Sequence, residues 1–210
     1  MKLTVFGATG GTGRELVRQA LDAGHEVTAV VRDPARLRVS GDRLEVVRSS
    51  LADPEELRAA VRGRYAVLSG LGPRGRKADG VTARLTRTIV RAMEAEGVRR
   101  LLVVSASPVG PAPQGDGAVD RAVRSVVSVI LKDVYADLRE MEADLARSDT
   151  DWTCVRPPRL QDKPLTGRYR TVVGGNPVHG RFLARADVAH AMLSMIDAKE
   201  TVRQGVGVAY

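Results

Sequence analysis

The chain has 210 residues, 43% hydrophobic and 28% charged, a balance typical of soluble globular proteins that bury one substantial core. Its net charge of +8 would admit a nucleic-acid partner, but only 3% of residues are aromatic and no block of like charges occurs, so little is offered for stacking on bases. No apolar run approaches the roughly 20 residues of a membrane span, and a single cysteine, Cys154, excludes an internal disulfide or a multi-cysteine metal site.

The first apolar run, Leu3-Thr4-Val5-Phe6, predicts a buried strand that leads straight into Gly7-Ala8-Thr9-Gly10-Gly11-Thr12-Gly13. With the strand starting at the N-terminus, no stretch remains for a signal peptide, and a cytoplasmic protein is expected. After the glycines, Leu16, Val17, Ala20 and Leu21 recur at helical spacing. A strand that ends in a glycine turn and re-enters as a helix is a phosphate-binding device. The first helical amides are unpaired and carry partial positive charge, and glycine permits both positive φ and close approach by a diphosphate. Gly7, Gly10 and Gly13 stand at three-residue intervals, G-x-x-G-x-x-G, in the strand–turn–helix context such a motif requires.

The second strand, Glu26 to Val31, ends at Arg32-Asp33-Pro34. In a dinucleotide-binding sheet this position lies beside the adenosine ribose. An acid there would accept from a 2′-hydroxyl and repel a 2′-phosphate; Arg32 reverses that preference. One charge-assisted hydrogen bond contributes about 1.5–3 kcal/mol, a preference of roughly 10- to 150-fold. NADP(H) is therefore the expected cofactor, with NAD(H) left open because Asp33 follows directly.

A third strand, Leu44 to Arg48, precedes Ser49 and Ser50, and Asp53-Pro54 opens a helix to about Arg62 with an N-cap and a proline at the first helical position. The fourth strand, Tyr65 to Ser69, runs into Gly70-Leu71-Gly72-Pro73, where the glycines let the backbone approach the cofactor's middle. Arg74-Gly75-Arg76-Lys77 then reads either as a basic lid over phosphates or as an exposed loop. A helix from Gly80 to Glu96 is closed by Gly97, and Arg100 to Ser105 predicts a deeply buried fifth strand.

Ala106 to Gly117 is rich in proline and glycine and reads as a flap, followed by a helical stretch to Arg147 broken near Lys132-Asp133. Asp151 to Arg156 is a sixth strand, with Cys154 in its core. Pro157 to Arg185 is irregular, with a small hairpin expected at Gly174-Gly175. A helix from Asp187 to Asp197 and a last edge strand, Val206 to Ala209, complete the chain. This alternation predicts an α/β fold: a Rossmann-type doubly wound parallel sheet with helices on both faces, in a single domain over residues 1–210. Segments 106–118 and 157–185 form a small substrate-side region. Gly7, Arg32, Gly70, Ser105 and Arg156 all fall at the carboxyl ends of strands, where such sheets bind ligands. The expected partner is a small-molecule substrate, with no nucleic acid and no membrane, for a monomer or small homo-oligomer.

These residues resemble the atypical short-chain dehydrogenase/reductase family, in the NAD(P)H-binding branch that includes NmrA-like proteins and flavin/biliverdin-IXβ reductases. The likeness rests on the glycine turn, on Val30-Val31-Arg32-Asp33, on Arg156-Pro157-Pro158 and on Gln161-Asp162-Lys163-Pro164-Leu165-Thr166-Gly167. It implies that Thr9, Gly10, Gly11 and Thr12 cradle the pyrophosphate and Arg32 the 2′-phosphate, with Gly72 and Pro157 flanking the nicotinamide. Three positions depart from the pattern: Ser50 where an aspartate would touch the adenine, alanine in the middle of Ser105-Ala106-Ser107, and Arg159 where a histidine follows Pro-Pro.

Short-chain dehydrogenases commonly protonate a carbonyl through a Tyr-x-x-x-Lys pair. The nearest match is Tyr135-Ala136-Asp137-Leu138-Arg139, in which Arg139 would lower the phenol's pKa by charge. The atypical reductases need no such tyrosine and work by orienting nicotinamide C4 against a flat acceptor. The candidate catalytic residues are thus Ser105, Ser107, Arg159 and Tyr135, with Arg74 also placed to steer a substrate. His179 is either a substrate contact or a plain loop residue, and no histidine–carboxylate spacing suggests a metal. The resemblance implies an NADPH-dependent reductase of a small conjugated acceptor (flavin, quinone, tetrapyrrole or enone-like metabolite). The alternative is a non-catalytic NmrA-like NADP(H) sensor.

Overall fold

A computed structural model describes residues 1–72, 80–113, 117, 125 and 127–210. Its main sheet has eight strands in the order β3-β2-β1-β4-β5-β6-β10-β8. They are β1 (Lys2–Phe6), β2 (Glu26–Val31), β3 (Leu44–Arg48), β4 (Ala66–Ser69), β5 (Arg100–Val104), β6 (Asp151–Arg156), β8 (Arg170–Val173) and β10 (Gln204–Ala209). All neighbours pair in parallel except β8, which lies antiparallel to β10. β7 (Arg159–Gln161) and β9 (Phe182–Ala184) form a separate parallel pair. The helices are α1 (Gly11–Asp22), α2 (Pro54–Val61), α3 (Val81–Ala95), α4 (Lys132–Arg147) and α5 (Arg185–Ser194).

Strand alternation sorts the core into two layers. Leu3, Val5, Ala29, Leu68 and Leu102 point to one face and pack under α1 and α5, which contribute Leu16, Val17, Val188 and Met192. Phe6, Val30, Val67, Leu101, Val103 and Cys154 point to the other face, under Leu57 of α2, Ile89 and Met93 of α3, and Met141 and Leu145 of α4. Burial on both faces explains why these strands read as near-continuous apolar runs. Cys154 is fully buried, and that burial pushes its thiol pKa well up, as befits a core residue. Asp53 caps α2 through the amide of Glu55 (2.9 Å), as its sequence predicts.

Two expectations fail at the C-terminal half. The last strand is interior, not an edge: β10 pairs with β6 on one side and β8 on the other. β8 ends at Val173 and the chain turns at Gly174 (φ +73°), but no hairpin forms there, because the next strand, β9, pairs with β7 and not back onto β8; Gly174 N–H reaches Gly205 O at 2.8 Å and Gly207 N–H reaches Gly175 O at 3.0 Å. Glycine in β10 obscures its strand pattern and is required sterically. A Cβ at Gly207 would stand 2.4 Å from the Gly175 oxygen and 2.5 Å from the Asn176 Cα, both backbone atoms.

Candidate functional site

Strand order reverses between β1 and β4, and the glycine turn leaves β1 at that switch point. Gly7 adopts φ +72°, and Gly10 donates back to the Gly7 carbonyl at 2.9 Å, which closes the turn. Three glycines here serve backbone packing. A Cβ on Gly13 would meet the Gly7 oxygen at 2.1 Å, one on Gly7 would meet the Gly70 carbonyl carbon at 2.8 Å, and one on Gly70 would meet Gly13 N at 2.9 Å. Gly70 thus owes its missing side chain to the first turn. Among the described residues, a Cβ on Gly72 would meet nothing within 4 Å.

The start of α1 fits an anionic group. Gly10 is exposed at the crest, no acidic residue stands in the first turn, and among the described residues no side chain accepts from the amides of Gly11, Thr12 or Gly13. Arg32 is exposed just past β2. The Asp33 carboxylate accepts from Ala35 N–H at 3.1 Å and so is engaged in capping its own turn. Ser50 is exposed after β3, its hydroxyl accepting from Ala52 N–H at 3.3 Å.

Beside this turn, at the carboxyl ends of β4, β5 and β6, a cavity of about 650 Å³ opens. Its size is that of a small-molecule site. Gly72, Ser105, Ser107, Tyr135, Pro157 and Arg159 all reach its wall, so the structure assembles every residue proposed for chemistry around one space. His179 lines it as well. Arg74 lies outside the described residues.

The polar groups differ in what they offer. Ser105 donates its hydroxyl proton to Glu142 Oε1 at 2.6 Å, and the same carboxylate is bound by Arg156 through Nε at 3.0 Å and through Nη2. Burial works against the Arg156 charge, and its bonds to Glu142 more than restore it. Ser105 therefore faces the cavity as a hydrogen-bond acceptor. Tyr135 is 5% exposed, and burial raises its phenol pKa despite the opposing charge of Arg139. Arg139 does pull it down, as expected from its charge, but desolvation outweighs a charge four residues away and the net shift is upward. Glu142 gave no sequence signal, because its partners are 37 and 14 residues distant.

The Pro164-Leu165-Thr166-Gly167 string is anchored by Asp187 in α5. This buried carboxylate accepts from Thr166 N–H (3.1 Å), Gly167 N–H (2.8 Å), the Thr166 hydroxyl (3.0 Å) and the Tyr210 hydroxyl (2.5 Å). Burial alone would raise its pKa, but the hydroxyl of Tyr210 and the two amides bring it below the ordinary value. A depressed folded-state pKa contributes stability that is complete above the unfolded value of about 3.9 and lost as pH falls through the lower folded value. Asp187→Asn is therefore expected to cost about 2–3 kcal/mol at neutral pH, with the gap from wild type closing in acid. Urea unfolding at a series of pH values measures this; a pH-independent gap would count against the anchor.

Fold and turn together define a dinucleotide-binding α/β protein. The chain belongs to the NAD(P)H-binding family, whose profile matches residues 7–199. It is similar to a (4-alkanoyl-5-oxo-2,5-dihydrofuran-3-yl)methyl phosphate reductase of Streptomyces griseus, 29% identical over 184 residues, covering 84% of this chain and 57% of the relative. The chain spans between one third and about three fifths of the length of the curated relatives it matches. A Burkholderia pseudomallei protein of known structure is 27% identical, with full coverage of both chains and a TM-score of 0.82. A Veillonella parvula short-chain dehydrogenase/reductase in complex with NADP shares the fold at 21% identity and a TM-score of 0.83, covering 100% of this chain and 94% of that one. No helix among the described residues is long and apolar enough to cross a membrane, and none of their His, Cys, Asp and Glu side chains group as a metal site.

Proposed function

We propose that the chain is an NADPH-dependent reductase of a small, flat, conjugated acceptor: a flavin, quinone, tetrapyrrole or enone-like metabolite. The carrying observation is the mostly apolar cavity at the carboxyl ends of β4, β5 and β6, whose wall residue Leu71 abuts the glycine turn (a Cβ on Gly7 would meet Leu71 N at 2.9 Å) and which has Ser105 and Tyr135 in its wall. In this reading Thr9, Gly10, Gly11 and Thr12 hold the diphosphate, Arg32 the 2′-phosphate, Ser50 the adenine side, and Gly72 and Pro157 the nicotinamide. The bound nicotinamide supplies the hydride. Apolar walls orient a flat acceptor and exclude water. Ser105, its proton committed to Glu142, accepts from the substrate. The Tyr135 hydroxyl keeps its proton at neutral pH, as an ordinary phenol does, burial raises its pKa further, and it makes no hydrogen bond among the described residues. In this reading its proton goes to the substrate, while Arg159 and Ser107 steer. The name of the Streptomyces relative supports the enone-like class, since its substrate carries an unsaturated ring bearing oxo and alkanoyl groups.

The test mixes purified protein, NADPH and a panel of such acceptors, followed at the nicotinamide absorbance band. Acceptor-dependent oxidation is expected. Tyr135→Phe should lower kcat by about 10²-fold with NADPH affinity unchanged. Coenzyme binding with no turnover across a broad panel would replace this reading by the NADP(H)-sensor alternative, which the arginine at position 139, in place of lysine, favours.

A further inference from the structure

The N-terminus of α5 brings an arginine onto the glycine turn. The side chain of Arg185 lies over Gly11: a Cβ built on Gly11 would meet Arg185 Cδ at 2.5 Å and Nε at 2.9 Å. The absent side chain of Gly11 thus leaves room for this arginine. Its placement is rigid at the base. α5 packs on α1 in the same core layer, and the buried Gln19 amide of α1 donates to the Ala186 carbonyl at 2.9 Å, one residue from Arg185. The far end is loosely held. Arg185 Nη1 donates to Asp162 Oδ1 at 2.7 Å, and the Asp162 side chain is 82% exposed. A solvent-exposed pair of this kind is weak and exchangeable.

We infer that Arg185 is a diphosphate ligand of the dinucleotide site, and that Asp162 holds its guanidinium until coenzyme arrives. The inference rests on the reading that the dinucleotide's diphosphate lies on the Gly7–Gly13 turn. Amides at the start of α1 would hold the diphosphate, and the guanidinium, already beside Gly11, would add a charged contact to it. Its planar fork suits two phosphate oxygens at once. The exchange trades one exposed carboxylate for two phosphates, and it frees Asp162. That residue belongs to the Gln161–Gly167 loop, which follows β7 and the Arg159 wall of the cavity. Coenzyme binding is thereby coupled to the substrate-side loop, through a residue that approaches the turn from 174 positions away in sequence (185 − 11).

Calorimetric titration of the whole chain with NADPH and NADH tests this. Arg185→Met is expected to weaken both coenzymes by the same factor, roughly 10- to 100-fold, because both carry the diphosphate. Arg32→Ala, by contrast, should weaken NADPH and spare NADH. Arg185→Lys keeps the aliphatic stem over Gly11 and one charge, so it should recover part of the loss; it also serves if the methionine variant folds poorly. Asp162→Asn removes the competing carboxylate and should tighten both coenzymes by up to about fivefold. Wild-type affinity in both Arg185 variants would overturn the inference, and weakened binding in Asp162→Asn would overturn the exchange. Failure of the wild-type chain to bind either coenzyme would instead sink the underlying dinucleotide reading.

Discussion

Alanine at Gly13 is expected to abolish coenzyme binding and to lower the stability of the fold by about 2–4 kcal/mol. The new methyl group would sit 2.1 Å from the Gly7 oxygen, 2.6 Å from the Gly7 carbonyl carbon and 3.0 Å from the Ala8 Cα. All three are backbone atoms of the turn just past β1, so no side chain can swing aside. α1 would have to move off the turn and away from Gly70, which packs so close that a Cβ on it would stand 2.9 Å from Gly13 N. The amides proposed to meet the diphosphate ride on that helix. Gly72→Ala is the matched control, since among the described residues its Cβ meets nothing within 4 Å; its stability should stay within about 0.5 kcal/mol of wild type. Urea unfolding and coenzyme titration read the two effects separately. A Gly13→Ala protein with the wild-type unfolding midpoint would show that the turn is not packed as described.

The second large effect is expected at Arg100, far from the cavity. Arg100→Met should cost about 3–4 kcal/mol. This guanidinium is buried and forms no ion pair with a carboxylate among the described residues. It donates instead to the Ile196 carbonyl (2.8 Å), the Met195 carbonyl (2.5 Å), the Asp151 carbonyl (2.7 Å), Thr153 Oγ1 (2.8 Å) and Thr201 Oγ1 (3.0 Å). Burial lowers its pKa, with Asp151 and Asp197 opposing, and a guanidinium so shifted still carries its charge. Met195 and Ile196 directly follow α5, so the cation closes the negative end of that helix. Methionine fills the volume but leaves three carbonyls without their donor. Lysine keeps the charge with a single donor centre and should fall between the two. The measurement is the urea unfolding free energy of the three proteins; a loss below about 1 kcal/mol for Arg100→Met would refute the role. Because α5 carries Arg185 and Asp187 at its other end, the same variant should also loosen the Thr166–Gly167 anchor.

The C-terminal half shows where sequence reading reaches its limit. Val206-Gly207-Val208-Ala209 looks like a weak edge strand, because glycine normally dilutes a strand pattern. Its interior place follows from partners 51 residues upstream in β6 and about 35 upstream in β8. Asp187 reads as an ordinary first-turn acid of a short helix, yet it organises Thr166, Gly167 and Tyr210. The Arg139 argument was correct in sign but incomplete, since the sequence does not report how deeply Tyr135 is buried.

What the sequence alone determined is whatever local periodicity and turn chemistry encode. The β1–glycine turn–α1 unit, the alternation of strands and helices, the Asp53-Pro54 helix start and Arg32 at the end of β2 all depend on contacts within a few residues. Only the tertiary structure decided which side chains from separate strands and helices meet. It placed Ser105 on Glu142 and Arg156, seated Arg185 on Gly11, and closed the cavity around Tyr135. Those contacts arise from the register of the parallel sheet and the stacking of helices on its two faces, long-range packing that leaves no periodic trace in the order of the residues.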